Sequence, residues 1–420
     1  MERATYARFL GQWHGLIAAR GGGGTESDRR EGLERLEQAL LQLEGLPIAL
    51  SDLEGRLLPA RVVGYGTRLL DELLVRGSWV WIGRGALGAK DGQVALYRRD
   101  RIELQLEAPA RDPEQLPGTI SDSARSVLVT LAQRGACFYT ELRNAQRALS
   151  ETELEEALWE LVWGGLVTND TLDPLRRRGA RRGTSTRSRG RLRSRAVGAS
   201  VGGRWSLVAN LFFDQAGSTE RLHGRALTLL ERHGVLTREA VANEGVVGGF
   251  AALYPVLREM EEAGKVRRGY FVDGLGGAQF AFPGAVDRLR AARRPLEQPI
   301  VTALAIQDPA QPYGAALRWP ESRLGAKGFR RAVGGLVVVA NGELVLHCGV
   351  RGKHVITTEA VLDDTLGPPA LEALRAALRG RGKAGRIERI DDVAVLESDL
   401  RERFVSAGFL LDYDTLYAAL

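Results

Sequence analysis

The sequence predicts an α+β protein of several domains: two related helical modules, each closed by a β-hairpin, flanked by a mixed α/β N-terminal domain and a β-rich C-terminal domain. Three observations predict it: a residue pattern that recurs at a spacing of 99 positions, an acid-free arginine-rich stretch between the two copies, and an Asn341-Gly342 pair between β-branched runs. At roughly 150 residues per domain, the chain of 420 makes about three domains, and 44% apolar residues suffice for packed cores.

The elements follow in order. Residues 6–17 open the chain, followed by a flexible glycine run at 21–24. In 31–44, Leu33, Leu36, Leu40 and Leu43 share one helical face, and Gly45 with Pro47 ends the helix. A second helix covers 68–75 and stops at Gly77; 78–83, 93–98 and 102–106 read as short strands. Pro113 and Pro117 mark 111–118 as a linker. In the repeat, Leu128, Leu131 and Gly135 match Leu227, Leu230 and Gly234, while Leu158, Leu161, Gly165 and Val167 match Leu257, Met260, Gly264 and Val266. Each copy reads as helix, short helix, longer helix and two strands, the order of a winged helix. Pro255 predicts a kink or restart in the third helix of the second copy, because proline removes a backbone bond. In the tail, Asn341-Gly342 is a two-residue hairpin turn between 336–340 and 343–347. A strand at 350–357, a helix at 369–378, a strand at 393–396 and a helix at 399–407 capped by Gly408 complete it. The domains so predicted are 1–117, 118–175, a basic loop or linker at 176–205, 206–283 and 284–420.

The charge is localised. The net charge is +6, yet between Pro174 and Phe213 there are eleven arginines and no acid; the rest of the chain has 47 basic against 52 acidic residues. A cationic stretch of this kind points to a polyanion, since phosphate binding releases counterions. Arginine outnumbers lysine 53 to 5 throughout, so single arginines carry less weight than the cluster. Two cysteines, Cys137 and Cys348, exclude a disulfide framework and a four-thiolate zinc site, and no signal peptide or membrane-length apolar run is present. The expected location is the cytoplasm, in association with the nucleoid.

Gly83, Gly85 and Gly88 fit G-x-G-x-x-G, but the next residues lead into a strand rather than a helix, so the segment reads as a hairpin. No Walker A sequence occurs, so no cofactor is expected for this chain, and ATP with Mg²⁺ only if a nucleotide-hydrolysing motor precedes it. His347 and Cys348 are strand neighbours whose side chains point to opposite faces, which argues against a Cys/His dyad. Wing arginines can reach phosphate or a minor groove, which makes Arg267 and Arg268 candidates, with Tyr270 and Gln279 for base contact. The first copy has an acidic turn at 168–173, and its third helix carries Glu151, Glu153, Glu155 and Glu156; that copy reads as packing rather than DNA reading.

These residues resemble the C-terminal region of the large helicase-related (Lhr) family, ATP-dependent bacterial DNA helicases of repair. The carrying stretches are Tyr6-Ala-Arg-Phe9, Leu57-Leu-Pro-Ala-Arg61, Leu70-Asp-Glu-Leu73, Trp79-Val-Trp-Ile-Gly83 and Glu244-Gly-Val-Val-Gly-Gly-Phe250, continuing through Arg267-Arg-Gly-Tyr-Phe271 and 274–280. The resemblance extends to AlkZ-type winged-helix DNA glycosylases and implies a β-barrel-like C-terminal domain beside the tandem winged helices. It also implies candidate catalytic acids: Glu44, in Gln42-Leu43-Glu44, the nearest match to a glutamine–apolar–acid motif, and Asp412 and Asp414, counterparts of an acid tied to uracil excision.

The leading function is DNA binding on behalf of a helicase whose ATPase motor is absent from this chain. The alternatives are a DNA glycosylase, which needs a carboxylate and a pocket for an extruded base, and a protein-interaction scaffold. The DNA-binding residues expected are Arg176, Arg177, Arg178, Arg181, Arg182, Arg187, Arg189, Arg191, Arg193, Arg195, Arg267, Arg268, Tyr270 and Gln279. The partners implied are single-stranded or duplex DNA and, for a fragment, a covalent helicase core. Homo-oligomerisation is left open, no membrane is involved, and no metal site is expected.

Overall fold

The computed structural model describes residues 1–16, 26–110, 120–181, 202–294, 296, 298–379 and 385–418. The chain divides into two compact units, Gly23–Arg225 and Met1–Gly22 with Ala226–Leu420; the boundary falls inside the helix Ser218–His233.

The unit Gly23–Arg225 holds two winged helices. The first runs from helix Glu26–Leu43 through strand Ile48–Ala49, helical segments Leu50–Asp52, Leu53–Leu57 and Leu58–Arg61, and helix Thr67–Val75 to strands Trp79–Leu87 and Asp91–Arg98. Its sheet has the order first–third–second strand. The predicted mixed N-terminal domain therefore contains a winged helix of its own. A second helix broken into three short pieces, one of them a π-helical turn, left no period to read. The predicted strand at 102–106 is instead the helical turn Ile102–Gln105, with Ile102 buried. The segment from Gly83 to Gly88 is strand and turn, as its pattern predicted.

The second winged helix comprises helices Asp122–Arg134, Tyr139–Ala145 and Glu151–Trp163 with strands Cys137–Phe138, Val167–Asn169 and Arg204–Leu207, again ordered first–third–second. Here the expected tight turn at 168–173 gives way to helix Asp173–Arg181, and the wing returns only at Arg204–Leu207, pairing Val167 with Leu207. The arginine-rich stretch thus lies, in chain order, between two strands of one wing. Glu153 is explained locally: with Ser150 it forms a capping box at the start of the third helix.

The two modules of this unit pack hairpin against helix. A Cβ on Gly83 would sit 2.1 Å from the carbonyl oxygen of Val162, and one on Gly92 would meet the Trp163 ring at the same distance, so only glycine permits the approach. Trp81 Nε1 donates to the Thr171 carbonyl at 3.0 Å, and Thr168 Oγ1 donates to the carbonyl of Trp81. Trp163 stacks on Trp159, which meets Trp205 edge-on. The end of the third helix of this copy therefore packs on the hairpin of the first module.

In the other unit, helix Arg3–Trp13 accompanies a third winged helix and the C-terminal domain. This module comprises helices Ser218–His233, Arg238–Asn243 and Gly249–Glu262 and strands Val235–Leu236, Arg267–Gly269 and Gln279–Ala281, once more ordered first–third–second. Leu158 and Leu257 are buried on the third helices of their modules, as the repeat requires; Leu230 and Met260 are buried too, and Leu227 is half-buried. Helix Gly249–Glu262 continues through Pro255 instead of restarting, with the proline ring exposed.

The C-terminal domain is an open structure. Val301–Ala305, Leu336–Ala340, Glu343–Cys348, His354–Thr357, Arg389–Ile390 and Val393–Ala394 form one six-stranded sheet in that order, antiparallel except for His354–Thr357 against Arg389–Ile390. Its first and last strands are edges, so the barrel expected from the resemblance is not closed here. Helix Gly367–Leu378 packs Leu371 and Leu374 on this sheet together with Phe404 and Phe409. The predicted 350–357 and 393–396 strands shorten to His354–Thr357 and Val393–Ala394. Asn341 (φ 51°) and Gly342 (φ 92°) make the predicted turn in the left-handed conformation that pairs well with strand twist. His347 and Cys348 are both buried; Trp319 and Phe329 flank the imidazole edge-on, and burial pushes its pKa down. No dyad is formed.

Candidate nucleic-acid interface

The surface begins with the third module, whose turn before the third helix is anchored from below. Glu244 accepts from Arg232 and lies 2.9 Å from His233 Nε2, all three side chains being buried. Burial would raise the Glu244 carboxyl, but Arg232 and His233 outweigh it and hold it well below the usual range. From this base, helix Gly249–Glu262 turns Ala251, Pro255, Arg258 and Glu259 to solvent. Its inner face packs Phe250 and Tyr254 against Phe280 of the wing. On the wing, Arg267 is exposed and Tyr270 is 81% exposed. Arg268 is exposed but tethered: it donates to the Tyr254 hydroxyl at 3.3 Å and pairs with Glu261. Gln279 does not reach a base. It is buried, its Oε1 accepting from Phe271 and Val272 amides and its Nε2 donating to the Val272 carbonyl, so it shapes the wing turn.

The arginine cluster is divided. Arg176 donates to Glu54 through Nε and Nη2 at 2.7–3.1 Å and to Asp71 at 2.8 Å, and these acids, outweighing burial, hold its pKa above the ordinary value. Arg177 pairs with Asp173, and the Arg178 guanidinium lies 4.7 Å over the Trp159 ring. These three belong to a helix that fastens the second module to the first rather than to a loop awaiting phosphate; Arg181 ends that helix. Arg182, Arg187, Arg189, Arg191, Arg193 and Arg195 lie outside the described residues.

The candidate acids also separate. Glu44 is fully buried, accepting from the Arg98 amide at 2.9 Å and from Arg101 at 2.8 Å; it is a structural ion pair, remote from solvent. Asp412 and Asp414 flank the tip of the hairpin Phe409–Asp412/Thr415–Ala418 rather than lying in a loose tail. Asp412 is paired with Arg386, whose guanidinium also faces the Tyr417 ring at 5.1 Å. Asp414 is exposed beside Tyr413, which is 92% exposed with φ 54°. The sequence reading missed a cleft of about 640 Å³ in the unit Gly23–Arg225, lined among others by Glu37, Trp79, Asp100, Glu103 and Phe213. Glu103 accepts the amides of Phe213 and Asp214, which leaves the Phe213 ring outward. The Phe212-Phe213 pair was the one available signal, and only burial tells which ring is core. Among the described residues no His/Cys/Asp/Glu group could hold a metal, and no helix is long and apolar enough to cross a membrane.

Three modules with one strand order define a protein of the multiple-winged-helix class. Residues 1–99 and 215–300 each match a family described as "Large helicase-related protein, winged-helix domain". The chain is 39% identical, over 97% of its length, to an "Lhr helicase/ probable uracil glycosylase" of Mycolicibacterium smegmatis, and 33% identical over 96% to an "Lhr helicase/uracil glycosylase" of Escherichia coli. It spans 27% and 28% of those two proteins. Residues 1–99 and 215–300 are thus winged-helix domains of the large helicase-related kind. Its fold is similar to that of Streptomyces sahachiroi DNA glycosylase AlkZ, with a TM-score of 0.51 and 13% identity over 93% of this chain and 99% of that one.

Proposed function

We propose that this chain is a DNA-binding region of an Lhr-type repair helicase, and that its third winged helix docks on duplex DNA. One observation carries the reading: the outward face of helix Gly249–Glu262 stands beside a wing with Arg267 and Tyr270 exposed, whereas the corresponding helix of the second module packs its end, at Val162 and Trp163, on the hairpin of the first. Third helices of this kind enter the major groove while the wing meets phosphate or the minor groove. The test is fluorescence anisotropy of labelled single-stranded and duplex oligonucleotides across a salt series. Arg267→Gln should weaken duplex binding and lower the salt slope by about 0.9, the share of one phosphate contact. An unchanged slope and affinity would refute the docking.

Base excision is the second reading. It is favoured by the exposed Tyr413–Asp414 tip, by a cleft that sets acids beside Phe213, and by relatives named as uracil glycosylases. Such chemistry needs a carboxylate to orient water or stabilise a cationic sugar. Abasic-site formation on a uracil-containing oligonucleotide, with parent chain and Asp414→Asn, tests it. No product from the parent chain would remove this reading and leave DNA binding standing.

A further inference from the structure

The turn that leads into helix Gly249–Glu262 presents an apolar side chain where none is needed for folding. Gly245, Gly248 and Gly249 have φ of 63°, 74° and 61°, left-handed conformations that glycine adopts without steric cost. Val247 projects from this turn and is 92% exposed. An apolar residue just before a helix cap usually packs on the fourth helical residue; that residue is Ala252, and Val247 does not cover itself with it. On the helix that follows, Ala251 and Pro255 are exposed and four residues apart. Proline has no N–H, so the Ala251 carbonyl lacks its usual donor from position 255. The outward face therefore offers methyl groups and a backbone acceptor whose helical partner is missing.

The charges around it fit a polyanion. Arg238, at the start of the preceding helix, and Lys265 and Arg267, beyond the end of this one, are exposed. The acids of the helix are confined to its last turn, where Glu262 pairs with Arg258 and Glu261 with Arg268, while Glu259 faces solvent one turn beyond Pro255. In the major groove an A·T pair displays the thymine 5-methyl group and the adenine N6 amino donor, the complement of an apolar surface beside a carbonyl acceptor.

We propose that Val247 and Ala251 contact 5-methyl groups of pyrimidines in the major groove, giving this module a preference for A·T-rich duplex. The proposal rests on the duplex-docking reading above. The full chain would be titrated with two duplexes of one sequence, one containing thymine and the other deoxyuridine throughout. A second pair, cytosine against 5-methylcytosine, keeps the readout independent of any uracil excision. One methyl group removed from water corresponds to a roughly fourfold change in affinity. The methylated member of each pair should bind at least that much tighter. Val247→Ala should bring the ratio toward one while leaving thermal stability unchanged, because Val247 packs on little. Equal binding of methylated and unmethylated duplexes, or a ratio unaltered in Val247→Ala, overturns this proposal alone. Failure to bind any duplex overturns the docking reading and this proposal with it.

Discussion

Replacing Arg176 separates two opposed accounts of the arginine cluster. If Arg176 binds DNA, Arg176→Gln should reduce the salt dependence of binding by about 0.9 and leave stability alone. The structure requires the reverse. Arg176 is 21% exposed and bridges Glu54, 12% exposed, and Asp71, 30% exposed, so its removal leaves two acids of the first module facing each other without their cation. Breaking a buried pair costs about 3–5 kcal/mol and an exposed one under about 1, so this intermediate burial places the loss near 2–3 kcal/mol. At 2–4 °C per kcal/mol for a unit of this size, the Tm should fall by roughly 5–10 °C. The assay is thermal unfolding followed by tryptophan fluorescence, for which Trp159, Trp163 and Trp205 are packed reporters in the same unit. Arg176→Lys should recover only part of the loss, since an ammonium cannot reproduce the fork onto Glu54. In Glu54→Gln the further cost of Arg176→Gln should shrink, because the pair is already broken. An unchanged Tm together with a flatter salt slope would refute the structural role.

Further outcomes follow from the same geometry. Leu257→Ala, in the core of the third module, should cost about 2–5 kcal/mol in chemical denaturation; a loss below about 1 would mean the site is not core. Glu244, whose carboxyl is held below its unfolded value of 4.5, should add stability that is full above that pH and lost as the pH falls below it. Glu244→Gln should accordingly flatten the acid limb of the stability profile, and a parallel profile would contradict the pairing. If excision is present, Asp412→Asn should lower stability by breaking the Arg386 pair, whereas Asp414→Asn should leave stability unchanged and abolish product; loss of product only with Asp412→Asn would reverse that assignment. Replacing Arg187, Arg189, Arg191, Arg193 and Arg195 by glutamine should flatten the salt slope by about 4–5 if each meets a phosphate, and an unchanged slope would exclude them.

By itself the sequence determined those features whose physics is local or recurs in register. The repeat placed Leu158 and Leu257 at equivalent buried positions because both copies bury the same helical face. The Asn341-Gly342 turn and the hairpin around Gly88 were legible because turn geometry depends on the few residues that make it. The exposed wing at Arg267 and Tyr270 followed from the same module pattern. Tertiary structure decided the remainder. The first winged helix was invisible because its second helix is broken into three short pieces, one of them a π-helical turn, and the second wing because its return strand is separated from Val167–Asn169 by the whole arginine stretch. Charged side chains were the least legible: Glu44 and Arg176 each read as solvent-facing candidates until folding brought up Arg101, 57 residues away, and Glu54, 122 residues away. A charge is worth what its surroundings make it, and a carboxylate buried against a guanidinium is structure while the same group at a hairpin tip is free for chemistry. That distinction depends on distances of a few ångströms between residues far apart in the chain, and they exist only once the chain has folded.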